Sequence, residues 1–200
     1  MDNNQNFETY LLINSKKFSI SVFSETNKKV YDNELILDEN KNSLDSEKFD
    51  LFLHQNIFKI EKLLKKFVKK SYIILDLDVF FTFDLSIKKK NYDNTVDAVN
   101  LNYLLNEAKY HCKETISDRK IIHMIIDNYF INNKYYPFLP IDIKGENYSI
   151  DLKFICLQNN FIKDLVKILK KYHISISKIV NAEYVRNFLK NYQKNIFLMT

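Results

Sequence analysis

The residues best equipped for chemistry in this chain are few and scattered. His54, His111, His123 and His173 lie far apart, and only His111 stands beside a thiol, that of Cys112. Neighbouring positions on a helix diverge by roughly 100°, so that pair makes no metal clamp, and the histidines read as surface or core residues. Cys112 and Cys156 have neither metal-ligand spacing nor the number of a disulfide framework, which predicts two reduced thiols. Ser15 and Ser43 lack the context of a nucleophile elbow, and no Walker A or dinucleotide fingerprint occurs. Gly145 is the only glycine among the 200 residues. Loops that cradle phosphate need glycine where backbone amides approach the anion closely or where φ is positive. A Gly-rich nucleotide loop is therefore excluded, and no catalytic residue, metal site or cofactor is expected.

One carboxylate pair invites closer reading. Asp76-Leu77-Asp78-Val79 follows an apolar run and resembles the nucleophile motif of haloacid-dehalogenase-type phosphatases, in which one Asp attacks phosphorus and the next handles the proton. Phe80 stands where that motif usually has threonine, and no downstream Asp pair with the usual glycines supplies a Mg²⁺ site. A two-residue carboxylate spacing is common, and solvation of a strand end is the preferred reading.

The formal net charge of +5 points toward nucleic acid, yet Arg119 and Arg186 are the only arginines. Bidentate reading of phosphate or guanine favours the arginine fork, which argues against sequence-specific recognition. Abundant Lys, Asn, Ile, Phe and Tyr beside scarce Gly, Ala, Pro and Arg matches the coding bias of an AT-rich genome, and that bias explains much of the basicity. With 46% hydrophobic residues, the chain can bury the core of one domain or of two small ones. No apolar run approaches the roughly 20 residues that span a bilayer. The polar start Met1-Asp2-Asn3-Asn4-Gln5-Asn6 lacks the basic and apolar regions of a signal peptide. A cytoplasmic location is the resulting expectation.

The elements that would position these residues follow from periodicity. Residues 7–13 and 18–23 are aromatic and β-branched runs around Asn14-Ser15-Lys16-Lys17 and predict a hairpin, with 30–37 as a third strand. Over 46–70 the period becomes helical. Phe49, Phe52, Leu53, Ile57, Ile60, Leu64, Phe67 and Val68 share a face, while Lys59, Lys62, Lys65, Lys66, Lys69 and Lys70 cover much of the rest as a solvated surface. Strands at 71–77 and 79–87, a helix at 100–112 with Asn100 as N-cap, and strands at 120–131 and 149–157 follow. The last two strands are joined by a loop holding Pro137, Pro140 and Gly145, where turn chemistry belongs. Asn159 or Asn160 then caps a helix to residue 172, before a strand at 174–180 and a helix from Ala182. A meander, a helix and a parallel strand, then helix, strand and helix, predict an α/β fold.

Asp118-Arg119-Lys120-Ile121-Ile122-His123, followed by Tyr129-Phe130-Ile131, resembles a segment of FtsA, the actin-like bacterial cell-division protein. That segment reads Asp-Arg-Glu-Ile-Leu-His and runs on to a Phe-Ile-Val strand. Without a gap, Pro140 falls on the family's Asp-Pro proline and Gly145 on the last glycine of its Gly-Met-Ser-Gly turn. Ile150-Asp151-Leu152-Lys153 then falls on its Val-Asp-Val-His strand. Asp164-Leu165-Val166-Lys167 and the strand at 174–180 resemble its Asn-Leu-Val-Lys helix and following strand. Upstream, Leu11-Leu12-Ile13-Asn14-Ser15-Lys16 falls where FtsA carries Asp-Ile-Gly-Thr-Ser-Lys, its first phosphate loop. Leu11 replaces the metal-linked Asp and Ile13 the Gly, so Asn14, Ser15 and Lys16 are expected to form a degenerate phosphate loop.

The resemblance implies a ribonuclease-H-like actin half-lobe, residues 1–78 plus 158–200 and similar to FtsA subdomain 1A. An inserted small αβ module at 79–157 is similar to subdomain 1C. The expectation includes no second lobe, which in that family holds the other phosphate loop, the adenosine pocket and the FtsZ-tail site. Neither ATP binding nor hydrolysis is then expected. The implied function is a truncated FtsA-like interaction scaffold, with cell-division proteins or FtsA-like subunits as partners, at the inner face of the bacterial cell membrane at the division site. Its working surface is expected on the connection at 133–147 of the inserted module. There Tyr135, Tyr136 and Phe138 either offer aromatic area to a partner or cover the module's own core. Val185, Phe188, Leu189, Tyr192, Ile196 and Met199 recur at helical spacing and read as core packing in preference to a membrane anchor. The alternative function is a basic binding module that sets the lysine-lined helix on RNA or an acidic membrane surface.

Overall fold

A computed structural model of the chain describes residues 7–38, 43–92, 94–139 and 143–197. The chain divides into two units, Met1–Val79 with Asn160–Thr200, and Phe80–Asn159. The first unit begins with strands β1 (Phe7–Asn14) and β2 (Lys17–Ser24), in which every second side chain is buried. Strand β3 (Lys29–Ile36) completes an antiparallel meander. Helix α1 (Ser46–Leu64) starts at Asp45, whose side chain accepts a hydrogen bond from the Lys48 N–H at 3.0 Å. Capping of this kind satisfies an orphan donor of the first turn. The helix buries Phe49, Phe52, Leu53, Ile57 and Ile60. Asn56, also buried, is satisfied by the Tyr31 hydroxyl and the Asn33 amide at 2.7 Å and by donating to the Phe52 carbonyl.

The helix does not run to residue 70 as its sequence period predicts. It stops at Leu64, and Lys65 adopts the left-handed conformation at φ 53°, a common way to end a helix. Phe67 is consequently 74% exposed, while Val68 reaches the core from the connecting segment. Strand β4 (Lys70–Asp76) then runs parallel to β1.

The second unit holds strand β5 (Phe80–Lys90), helix α2 (Ala98–Thr115), strand β6 (Arg119–Ile131), the short strand β7 (Lys134–Tyr136) and strand β8 (Asn147–Gln158). They form an antiparallel sheet of order β5-β8-β6-β7. Leu104, Ala108 and Cys112 of α2 pack with Tyr148, Ile150, Leu152, Phe154 and Cys156 of β8 in one core. Three residues earlier than Asn100, Asp97 is the true N-cap of α2, its carboxylate accepting the Asn100 N–H at 2.8 Å. An Asp side chain can serve this role more strongly because its charge favours the positive end of the helix dipole.

The chain returns to the first unit with helix α3 (Asn159–Lys170), strand β9 (Ser175–Asn181) and helix α4 (Ala182–Phe197). Strand β9 adds in parallel beside β4, giving the sheet order β3-β2-β1-β4-β9. Leu165, Ile168 and Leu169 of α3 are buried. Just past that helix, Lys171 and Tyr172 bind Asp50 of α1 at 2.5 and 2.8 Å. The described side chains of the terminal helix stripe do not form core as expected: Phe188 and Leu189 are 55% and 51% exposed, and Val185 is half-buried. The side chains of Tyr192 and Ile196, and Met199 and Pro140 altogether, lie outside the described residues. Among the described residues no helix is long and apolar enough to cross a membrane.

Candidate functional site

The C-terminal ends of parallel strands are where open α/β sheets hold ligands. In the first unit β1, β4 and β9 end side by side, on Asn14, Asp76 and Asn181. The β1–β4 register sets Asn14 against Asp76, and the Asn14 amide donates to Asp76 Oδ2 at 2.8 Å. Asn14 Oδ1 in turn accepts the Lys16 N–H at 2.7 Å, so the loop's own side chain takes an amide that a phosphate cradle would leave for its anion. Ser15 is half-buried and Lys16 exposed in this turn. Leu11 and Ile13 are fully buried; the positions that resemble the family's metal-linked Asp and its Gly serve as core.

Helix α4 supplies the remaining partner. Asn181 accepts the Tyr184 N–H at 2.7 Å and so caps the helix start, which directs Arg186 to Asp76 in a bidentate pair of 2.7 and 3.1 Å. The Asp76 side chain keeps 25% of its accessible surface. Its expected role as a solvated strand end is therefore corrected: it is paired on both oxygens. The guanidinium holds its carboxyl below the usual carboxylate range, with a smaller contribution from Asn14, and the same pair raises Arg186. Asp78 is exposed. Near neutral pH the cluster has no proton to give or take, and an internal cation already answers the carboxylate.

Of the three aromatic residues expected on the connection at 133–147, Tyr135 and Tyr136 lie on a hairpin strand and Phe138 in the bend that follows it. Asn132 and Asn133 both have positive φ, 50° and 64°, and the register pairs Ile131 with Lys134 across them. That is the two-residue turn favoured for hairpins, and Asn tolerates its left-handed positions. It leads into β7 with Tyr135 and Tyr136 on opposite faces. Tyr136 is half-buried and packs against the unit's core, with Lys134 Nζ 5.7 Å from its ring centre. Tyr135 is 54% exposed beside Phe130, and Phe138 is 71% exposed. Tyr136 thus covers the unit's own core, whereas Tyr135 and Phe138 are left exposed.

Cys112 and Cys156 meet in the same core as free thiols. Burial pushes the Cys156 thiol up to about 12, which leaves it inert as a nucleophile. His111 stands 4.0 Å from Glu107 on the exposed face of α2. Among the described residues no group of three or more His, Cys, Asp or Glu side chains could hold a metal ion. Sequence reading noted Arg186 as an arginine but gave it no place at the strand ends. The available signal was its rarity, one of two arginines in the chain, on a helix that follows a strand of the parallel set.

Strand order and helix placement define an actin-like half-lobe in the first unit, with the second unit inserted between β4 and α3. The chain is similar to a chain of the PilM–PilN type IV pilus biogenesis complex, at 8% identity and a TM-score of 0.52 over 88% of its own length. It spans about half of that protein, 48%. Two other solved structures overlap it more loosely. The Marinitoga piezophila Argonaute in complex with 5′ OH guide RNA gives a TM-score of 0.30 at 12% identity, over 86% of this chain and 26% of the other. A Bacteroides thetaiotaomicron protein described as having an actin-like ATPase fold gives 0.25 at 12% identity, over 96% and 90%. These two overlaps are too loose to carry an argument. No protein-family model and no curated protein matches the chain.

Proposed function

We propose that this chain is a non-enzymatic interaction scaffold, an FtsA-like cell-division protein of actin-like fold that does not bind ATP. The observation that carries the reading is the closed cluster of Asn14, Asp76 and Arg186 at the strand ends. A nucleotide would have to displace a bidentate arginine and compete for a backbone amide already bound by Asn14. Support for the division role comes from the FtsA-like motifs, which fall on β6 and β8, the two central strands of the second unit. That a structural neighbour belongs to a two-protein assembly complex is in keeping with a role in assembly. The partners in this reading are cell-division proteins or FtsA-like subunits at the inner face of the bacterial membrane, and Tyr135 with Phe138 is the contact surface.

Calorimetric titration with ATP and Mg²⁺ tests the nucleotide half of the proposal. No binding heat is expected from the unaltered chain, and micromolar affinity would overturn the reading. Co-purification with division proteins tests the other half: Tyr135→Ala with Phe138→Ala should lose the partner without lowering the melting temperature. A second reading, a basic module for RNA or acidic lipid, is favoured by the exposed Lys59, Lys62, Lys65 and Lys66. Polyelectrolyte binding of that kind would fall steeply with salt, whereas an apolar protein contact would not.

A further inference from the structure

The early end of α1 has built a groove. Beyond Lys65 the segment folds back, its Val68 N–H donates to Glu61 Oε1 at 3.1 Å, and the Val68 side chain drops into the core. Phe67 is thereby turned outward, 74% exposed, opposite Phe58 of the helix at 71%. These rings, Ile57, and the Tyr172–His173 corner after α3 wall an open, mainly apolar groove of about 660 Å³. Single exposed apolar residues are ordinary, but two phenylalanines flanking one concave surface form a patch of the kind that marks an interaction site.

Lysines outnumber carboxylates around that patch. Lys59, Lys62, Lys65 and Lys66 are exposed on the adjoining turns, and Lys69 lines the groove itself. Glu61 is the carboxylate among the lining residues, and it already accepts the Val68 amide. Asp50 nearby on α1 is answered by Lys171 and Tyr172. An occupant must therefore bring apolar anchors for the floor and negative charge for the rim. A bilayer takes up apolar side chains from an outward face lying in its plane. Here the apolar area is recessed between walls, as in sites that receive an amphipathic helix.

We propose that this groove docks an acidic amphipathic helical segment of a partner protein. Apolar side chains one turn apart seat between Phe58 and Phe67, and flanking Asp or Glu side chains meet Lys62, Lys65 and Lys66. The surface is distinct from the Tyr135–Phe138 hairpin of the second unit and depends on the scaffold reading only in being a protein contact.

The probe is a fluorescently labelled synthetic helix of about 15 residues, Leu and Phe on one face and Glu on the other, titrated against the full chain by anisotropy. Saturable binding is expected, with a Lys-for-Glu version of the peptide at least about tenfold weaker. Phe58→Ala and Phe67→Ala should each weaken binding about tenfold at unchanged melting temperature. Lys62→Glu with Lys66→Glu should slow association and flatten its salt dependence. Tyr135→Ala with Phe138→Ala should leave this affinity unchanged, which separates failure here from failure at the hairpin. Absence of saturable binding, equal affinity for the two peptides, or indifference to both phenylalanine substitutions overturns the proposal. Flotation on vesicles of acidic phospholipid that Phe58→Ala and Phe67→Ala abolish would assign the groove to a membrane and overturn it as well.

Discussion

Gly145, alone of its kind in the chain, is a glycine for space. Its φ is not positive, but a Cβ built on it would lie 2.2 Å from Ile131 Cγ2. Ile131 is itself buried at 2% exposure, so the methyl cannot retreat freely. Gly145→Ala should cost about 1–3 kcal/mol, the usual range for overpacking. Chemical denaturation checks this, and combination with Ile131→Ala should be less than additive because the clash disappears with the side chain. At Asp76 the decisive quantity is charge. Its native carboxyl titrates below the unfolded value because Arg186 and Asn14 favour the ionised form. The pair therefore contributes fully above the unfolded carboxylate range, about pH 4, and its contribution is lost as pH falls through the lowered native value. Asp76→Asn should flatten the stability curve below about pH 4 relative to the unaltered chain, as read from urea midpoints across the acid range.

Elements end where backbone chemistry ends them, and two such ends shape the surfaces of this protein. Lys65 in the left-handed region cuts α1 short and turns Phe67 out of the apolar stripe. In the second unit, Asn132 and Asn133 close β6 onto β7 and alternate the two tyrosines that follow. Alternation makes a quantitative claim. Tyr136→Ala removes a ring packed on the core and should destabilise by about 2–4 kcal/mol. Tyr135→Ala removes an exposed ring and should stay within about 0.5 kcal/mol. Thermal melts of the two single variants decide this; similar losses would mean that the faces are not divided as described.

At the scale of the whole molecule, the two units differ in how the chain makes them. Phe80–Asn159 is continuous and has its own core, with α2 packed on β8. Its sheet pairs β5, β8, β6 and β7 without help from outside. A fragment of residues 80–159 should therefore fold alone and melt cooperatively, as followed by circular dichroism. The other unit is discontinuous. Residues 1–79 without the return segment lack β9, the neighbour of β4, and the buried face of α3, and should not show a cooperative transition.

Periodicity and turn chemistry were enough to place the meander, α1, β4 and the later strands and helices, because a half-buried element must alternate at its own period whatever it packs against. They also made the case for an α/β fold, and the absence of Gly-rich loops was plain from composition. Long stretches of pattern hid local exceptions. The lysine-rich period ran on through Lys65 because nothing in it marks a residue that will take φ 53°. Asn132-Asn133 did carry a hairpin signal, but a loop with two prolines obscured three residues of strand. Beyond such misses lie the contacts that no local pattern encodes. Arg186 meets Asp76 across 110 residues, and Asn14 meets it across 62; the groove at Phe67 draws on α1 and on the corner after α3. Sequence determined which segments are helix or strand and which faces must be buried, since those are set by neighbours in the chain. Only the tertiary structure decided which strand ends lie together and which side chains close on them, because pairing of distant segments is fixed by packing and charge in space.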